Sequence, residues 1–153
     1  MIPKKELLIL HALRKNARKN LATISRETGI PITSVFEKVH KLQKTMIRKN
    51  TCFIDFSRLG HPLAVHFIIK VNNTPGFESF VIKNKNTNNV FRLNGGDFFI
   101  EALFRSMNNV QYFIEQVERF NVKELNTFHV LDELRKEQFL AKEEHLEMIY
   151  SNG

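Results

Sequence analysis

Apolar residues recur at helical spacing three times within the first fifty positions. In Lys4–Asn16, Leu7, Leu10 and Leu13, with Ile9 beside them, form a stripe opposite Lys5, His11 and Lys15, which predicts a first helix. Asn20 is placed to cap a short second helix that turns Leu21 and Ile24 inward, and Gly29 supplies the left-handed residue that stops it. Gly29-Ile30-Pro31 then reads as a turn, and Ile32–Thr45 as a third helix with Val35, Val39, Leu42 and Met46 three or four positions apart. Helix, short helix, tight turn and a longer helix form the order of a helix-turn-helix, whose last helix enters the major groove. Ile47–Ile54 is rich in β-formers and holds Arg48 and Lys49 near its start, as a wing beside a phosphate backbone would.

From Asp55 the period changes. Asp55–Gly60 punctuates the chain as a hinge, and Leu63–Val71 is an apolar run in strand form. Thr74-Pro75-Gly76 reads as a turn, Phe77–Lys85 as a helix and Asn84–Asn89 as a solvated loop. Val90–Asn94 and Phe98–Arg105 are strands joined at Gly95-Gly96-Asp97; Val110–Phe120 is helical and Val122–Leu131 a last strand. Strand, helix, strand, strand, helix, strand is the ferredoxin-like α+β order, with both helices on one face of a sheet. Few residues remain to cover the other face, so a second copy of the same sheet is the expected cover, which predicts a homodimer. Arg135–Ile149 adds a helix bearing Glu137, Glu143, Glu144 and Glu147, expected to lie away from nucleic acid. The expected fold class is therefore α+β, an N-terminal winged helix-turn-helix (residues 1–55), a hinge (56–60), a ferredoxin-like βαββαβ domain (61–134) and a C-terminal helix and tail (135–153).

Charge sharpens this picture. The 153 residues carry a net +7, but the part through Asn50 holds twelve Lys and Arg against three Glu, so all of the excess lies there and the remainder is slightly acidic. A basic block joined to a near-neutral one points to a part that meets a polyanion and a part that does something else. Thr33 and Ser34 stand at the front of the third helix, where hydroxyls reach phosphates or base edges; Phe36, Glu37, Lys38 and Lys41 are candidates for the groove. Phe36 fits the core equally well, and Glu37 either accepts from a cytosine amino group or orients Lys38 or Lys41. Lys38 and Lys41 are expected to face solvent. Arg18, Lys19, Arg26, Lys44, Arg48 and Lys49 are candidates for backbone contacts.

Other chemistry finds little support. Cys52 is the only cysteine, which excludes an internal disulfide and a Cys-rich zinc site, and it reads as a small buried strand residue. His11, His40, His61, His66, His129 and His145 follow no metal-binding or catalytic spacing, so neither an enzyme nor a cofactor or metal is expected. No stretch approaches the ~20 apolar residues of a membrane span or the form of a signal peptide, and a soluble, cytoplasmic, nucleoid-associated protein is expected. The alternatives are an architectural DNA binder without an effector, and a sensor whose helix-turn-helix has become a protein contact. RNA binding through the sheet lacks the aromatic and basic signature it would need.

Asn16-Ala-Arg18, Ile24-Ser-Arg-Glu-Thr-Gly-Ile-Pro31, Val35-Phe-Glu-Lys-Val-His-Lys-Leu42 and Thr51-Cys-Phe-Ile-Asp-Phe-Ser-Arg-Leu-Gly60, in this order and followed by a ferredoxin-like half, resemble the Lrp/AsnC (leucine-responsive, feast-famine) transcription regulators. The resemblance runs from about Leu7 to Leu131. It implies binding to double-stranded DNA, a dimer formed through the sheets that assembles into tetramers or octamers, and an amino acid or related effector. The implied effector loop is Asn94-Gly95-Gly96-Asp97-Phe98-Phe99, which keeps Gly96, Asp97 and Phe98 but has Phe99 where the family commonly has a second carboxylate. Two further departures are Pro3-Lys4-Lys5 at an often acidic start, and the lack of a Gly just before Ile47.

Overall fold

The computed structural model describes residues 2–72 and 74–151. By its internal contacts the chain forms two compact units, one holding the residues up to Cys52 together with those from Leu134 onward, the other Phe53–Glu133.

The first unit is helical: α1 (Lys4–Lys15), α2 (Leu21–Thr28), α3 (Ile32–Thr45) and, from the far end of the chain, α6 (Glu143–Ser151). α2 begins as its sequence predicts, with the Asn20 carboxamide oxygen accepting from the Thr23 amide at 2.8 Å. It ends at Gly29, whose φ of +67° a residue with a side chain adopts only at a cost. Ile9, Ala12, Ile24, Ile30, Val35 and Leu42 form the core, flanked by Leu10, Leu13, Leu21, Val39 and Ile47. The Ile, Val and Leu side chains each contribute about 1.5–3 kcal/mol when fully buried, so a core this small is modest.

The chain's end packs on α1. The Leu140 carbonyl accepts from His11 Nδ1 at 2.7 Å, its amide donates to His145 Nδ1 at 3.0 Å, and the Tyr150 hydroxyl donates to the Lys4 carbonyl at 3.0 Å. Arg14 donates to the Phe139 carbonyl at 3.0 Å and pairs with Glu137. These contacts correct two expectations. His11, placed on the polar side of the first helix, is buried. The last helix is shorter than Arg135–Ile149, because Glu137 and Leu140 have positive φ and cannot continue a right-handed turn.

The second unit is a four-stranded antiparallel sheet in the order β2-β3-β1-β4, with β1 (Leu63–Val71), β2 (Thr87–Arg92), β3 (Phe98–Phe104) and β4 (Val122–His129). α4 (Thr74–Lys83) follows β1 and α5 (Met107–Glu118) follows β3. Alternation puts Val65, Phe67, Ile69 and Val71 of β1 and Phe98, Ile100, Ala102 and Phe104 of β3 on one face, where Phe77, Val81, Val110, Phe113 and Val117 of the two helices cover them. The opposite face takes the intervening residues: Ile68 opposite both Phe99 and Asn126, Phe91 opposite Phe99, and His66 opposite Glu101 and Phe128. Neither α4 nor α5 lies there.

Local boundaries differ from the predicted ones. The Thr74-Pro75-Gly76 turn is the first turn of α4, where a proline suits a position whose amide has no helical partner. The Asn84–Asn89 tract is not all loop. β2 starts at Thr87 and is an edge strand, and its exposed Asn88 and Asn89 donate to Glu101 at 2.9 and 2.8 Å. Residues 47–55 form no strand, although Ile47–Ile54 reads as a wing; no strand among the described residues pairs with this stretch, and a strand without a neighbour has no ladder to hold it. Cys52 lies in it and is exposed rather than buried. Asp55–Gly60 folds as a 3-10 turn over Phe56–Leu59, with the Asp55 carboxylate accepting from the Ser57 amide at 3.1 Å.

Candidate nucleic-acid interface

α3 buries Val35 and Leu42. At 100° per residue, Thr33, Glu37, His40 and Lys44 fall on the far side, with Phe36 at its border. All five are exposed. The two readings of Phe36 are thereby separated: its ring is 61% exposed and is no part of the core. It lies parallel to the His40 ring one turn on, at 2° and 6.4 Å between centroids. His40 was not among the candidates, because a histidine between Val39 and Lys41 carries no signal of its own. Its position four residues after Phe36 is the clue that was available.

Lys38 and Lys41 lie on the flank towards α1 and are not free in solution. Both donate to one carboxylate oxygen of Glu6, at 3.4 and 2.9 Å. The Glu6 side chain is 6% exposed, those of Lys38 and Lys41 27% and 60%, so Lys38 is half-buried where solvent exposure was expected. The orienting carboxylate is thus Glu6 and not Glu37. The hydrogen bond from Lys41 holds the Glu6 carboxyl below the usual carboxylate range against its burial, with Lys41's charge and then Lys38 adding to the effect.

The remaining basic candidates divide similarly. Lys19 is half-buried and pairs with Glu27 at 2.7 Å. Arg18, Arg26, Lys44, Arg48 and Lys49 are exposed and have no ion-pair partner closer than 4 Å among the described residues. Ser34 is half-buried at the α1 side, whereas Thr33 is exposed. Hydrogen bonds of the tail fall on Lys4, His11 and Arg14 of α1, and the outward residues of α3 are exposed.

The six effector-loop candidates do not form one surface. Asn94, Gly95 and Gly96 are exposed between β2 and β3, with successive φ values of +89° and +87° at the two glycines. Phe98 is a core residue against Phe77, and Phe99 lies on the opposite sheet face against His66 and Phe91. Asp97 has a buried Oδ1 without a hydrogen-bond partner among the described residues, and Lys70 Nζ stands 3.8 Å from it.

No family model matches the chain. It is 27% identical over 125 residues to an uncharacterised HTH-type transcriptional regulator of Pyrococcus furiosus, covering 77% of this chain and 81% of the relative. A second such regulator, from Pyrococcus horikoshii, is 24% identical over 135 residues, covering 86% and 91%. Among solved structures, B. subtilis LrpC superposes with a TM-score of 0.79 at 21% identity, covering 89% of this chain and 99% of LrpC. E. coli AsnC gives 0.76 at 20%, covering 89% and 96%. A Neisseria meningitidis regulator in complex with L-Met gives 0.78 at 18%, covering 89% and 94%. The fold of this chain, a helix-turn-helix unit and a ferredoxin-like one, is thus similar to that of LrpC and AsnC, as its motifs lead one to expect.

Proposed function

We propose that this protein is a sequence-specific, DNA-binding transcription regulator that acts as a dimer or a higher assembly in the cytoplasm, on the nucleoid. The observation that carries the reading is the outward face of α3, with Thr33, Phe36, Glu37, His40 and Lys44 all exposed on the basic helical unit. The Pyrococcus relatives are uncharacterised HTH-type transcriptional regulators, which supports a regulator over an enzyme. Residues 1–55 bind DNA in this reading, 56–60 form the hinge, and 61–134 pair two copies through the sheet face bearing Ile68, Phe91, Phe99 and Phe128. Arg18, Arg26, Lys44, Arg48 and Lys49 meet phosphates directly, while Lys19, Lys38 and Lys41 first leave a carboxylate. Ser34 assists at the start of α3.

An amino acid or related small molecule is the proposed effector. Asp97 is the group that would receive its ammonium, since its buried oxygen lacks a hydrogen-bond donor and Lys70 stands too far to give one. Phe99 removes the second carboxylate from this role.

The test is fluorescence anisotropy on a duplex enriched from a randomised pool by the full chain, against a random duplex of equal length, at two salt concentrations with and without each amino acid. A specific duplex bound roughly a thousandfold or more tighter, with affinity falling steeply with salt, supports the reading. A small ratio favours the architectural binder, and no binding at low salt overturns both.

A further inference from the structure

Phe36 is the most exposed large apolar side chain on α3, beside the outward Thr33, Glu37, His40 and Lys44, which are polar or charged. Amphipathic helices place such side chains inward, and turning a ring into water forgoes a stabilisation that a polar residue would not miss. The apolar exposure is narrow: Ile32, one turn earlier, is 49% exposed, and Thr33 and Glu37 flank the pair. A protein partner is served by a broad apolar patch. A ring with one aliphatic neighbour, bounded by Thr33, Glu37 and His40, matches a different target, the major groove, where one group on the base edges is apolar: the C5-methyl of thymine.

The geometry agrees with that target. Phe36 lies in the second turn of α3, and the early residues of a recognition helix are those that contact base edges. The parallel His40 ring braces it along the helix, so the ring loses little side-chain freedom on docking. Lys44, one turn beyond His40, supplies a cation for the neighbouring phosphates.

We propose that Phe36, positioned by His40, selects a thymine by contact with its C5-methyl group, so that the sequence preference of this protein includes a thymine at a fixed place in each half-site. This rests on the DNA-binding reading and adds the base it selects.

The experiment uses the full chain and the duplex it enriches from a randomised pool, with each thymine in turn replaced by deoxyuridine, which removes the methyl and leaves base pairing intact. Wild-type affinity is expected to fall about fourfold at one position per half-site, the effect of one methyl group left in water. Phe36→Ala, which touches no core, should bind thymine and deoxyuridine duplexes equally; Phe36→Leu should keep part of the discrimination, and His40→Ala should weaken it without abolishing binding. Wild-type protein indifferent to every replacement, or Phe36→Ala retaining full discrimination, overturns the proposal and leaves DNA binding standing. A pool that never enriches, with no binding at low salt, removes the DNA reading and this proposal together.

Discussion

Glu6→Gln is the most informative single change in the helical unit. The carboxylate is almost fully buried, accepts from two lysines through one oxygen, and so ties α1 to α3. A hydrogen bond to a charged group contributes about 1.5–3 kcal/mol. Both lysines retain a route to water, which discounts that figure, and glutamine keeps an oxygen to accept one of them. The expected loss is about 1–2 kcal/mol at neutral pH, below the 3–5 kcal/mol typical of a broken, fully buried pair. Because folding holds this carboxyl below its ordinary range, its contribution is complete above the unfolded carboxylate's pKa of about 4.3 and disappears as pH falls through the folded value. Urea titrations of wild type and variant should therefore separate at pH 7 and converge on acidification. A gap that persists unchanged well below pH 4, or no gap at pH 7, would refute the electrostatic account of the clamp.

Three further changes test other parts. Gly29→Ala forces a side chain into φ +67° and should cost about 1 kcal/mol in thermal unfolding, with Gly29→Asn costing less, although no atom crowds the site. Equal stabilities for the two variants would show that φ is not the constraint. His11→Ala leaves the Leu140 carbonyl without its 2.7 Å partner, and faster hydrogen exchange in α6 than in α2 is expected; uniform exchange would mean that the tail is held elsewhere. Phe99→Asp puts a charge on the sheet face opposite α4 and α5 and should convert the assembly to monomers by sedimentation, while wild-type sedimentation would exclude that face as the pairing surface.

How far the sequence could be read depended on where each constraint lies. α3 and β1 match their predicted limits to the residue, because Pro31 and Pro62 mark their starts and an apolar pattern of one period fills each. β2 was placed late because its first residues, Thr87, Asn88 and Asn89, lack apolar alternation; an edge strand is held by backbone bonds and by the Glu101 carboxylate on its neighbour. The non-helical stretch before α6 could not be read at all, since it depends on His11 and Arg14, more than 120 positions away. Within the site, charge was visible and its partners were not. Lys38 and Lys44 look alike in the sequence, yet only Lys38 reaches Glu6.

That difference separates the cations in a way that composition cannot. Of the twelve basic residues in the leading third, Arg14, Lys19, Lys38 and Lys41 already face carboxylates. When such a lysine moves to a phosphate it leaves a carboxylate behind, and the Coulomb gain is largely offset. Arg18, Arg26, Lys44, Arg48 and Lys49 have no such carboxylate among the described residues and displace only counterions. The salt dependence of DNA binding should follow these five residues per chain: Lys44→Ala lowers the slope by about one for each copy bound, whereas Lys41→Ala lowers it by less. Equal slopes for the two variants would mean that Glu6 releases its lysines freely on binding. The clamp would then be a device for folding the unit and not for apportioning its charge.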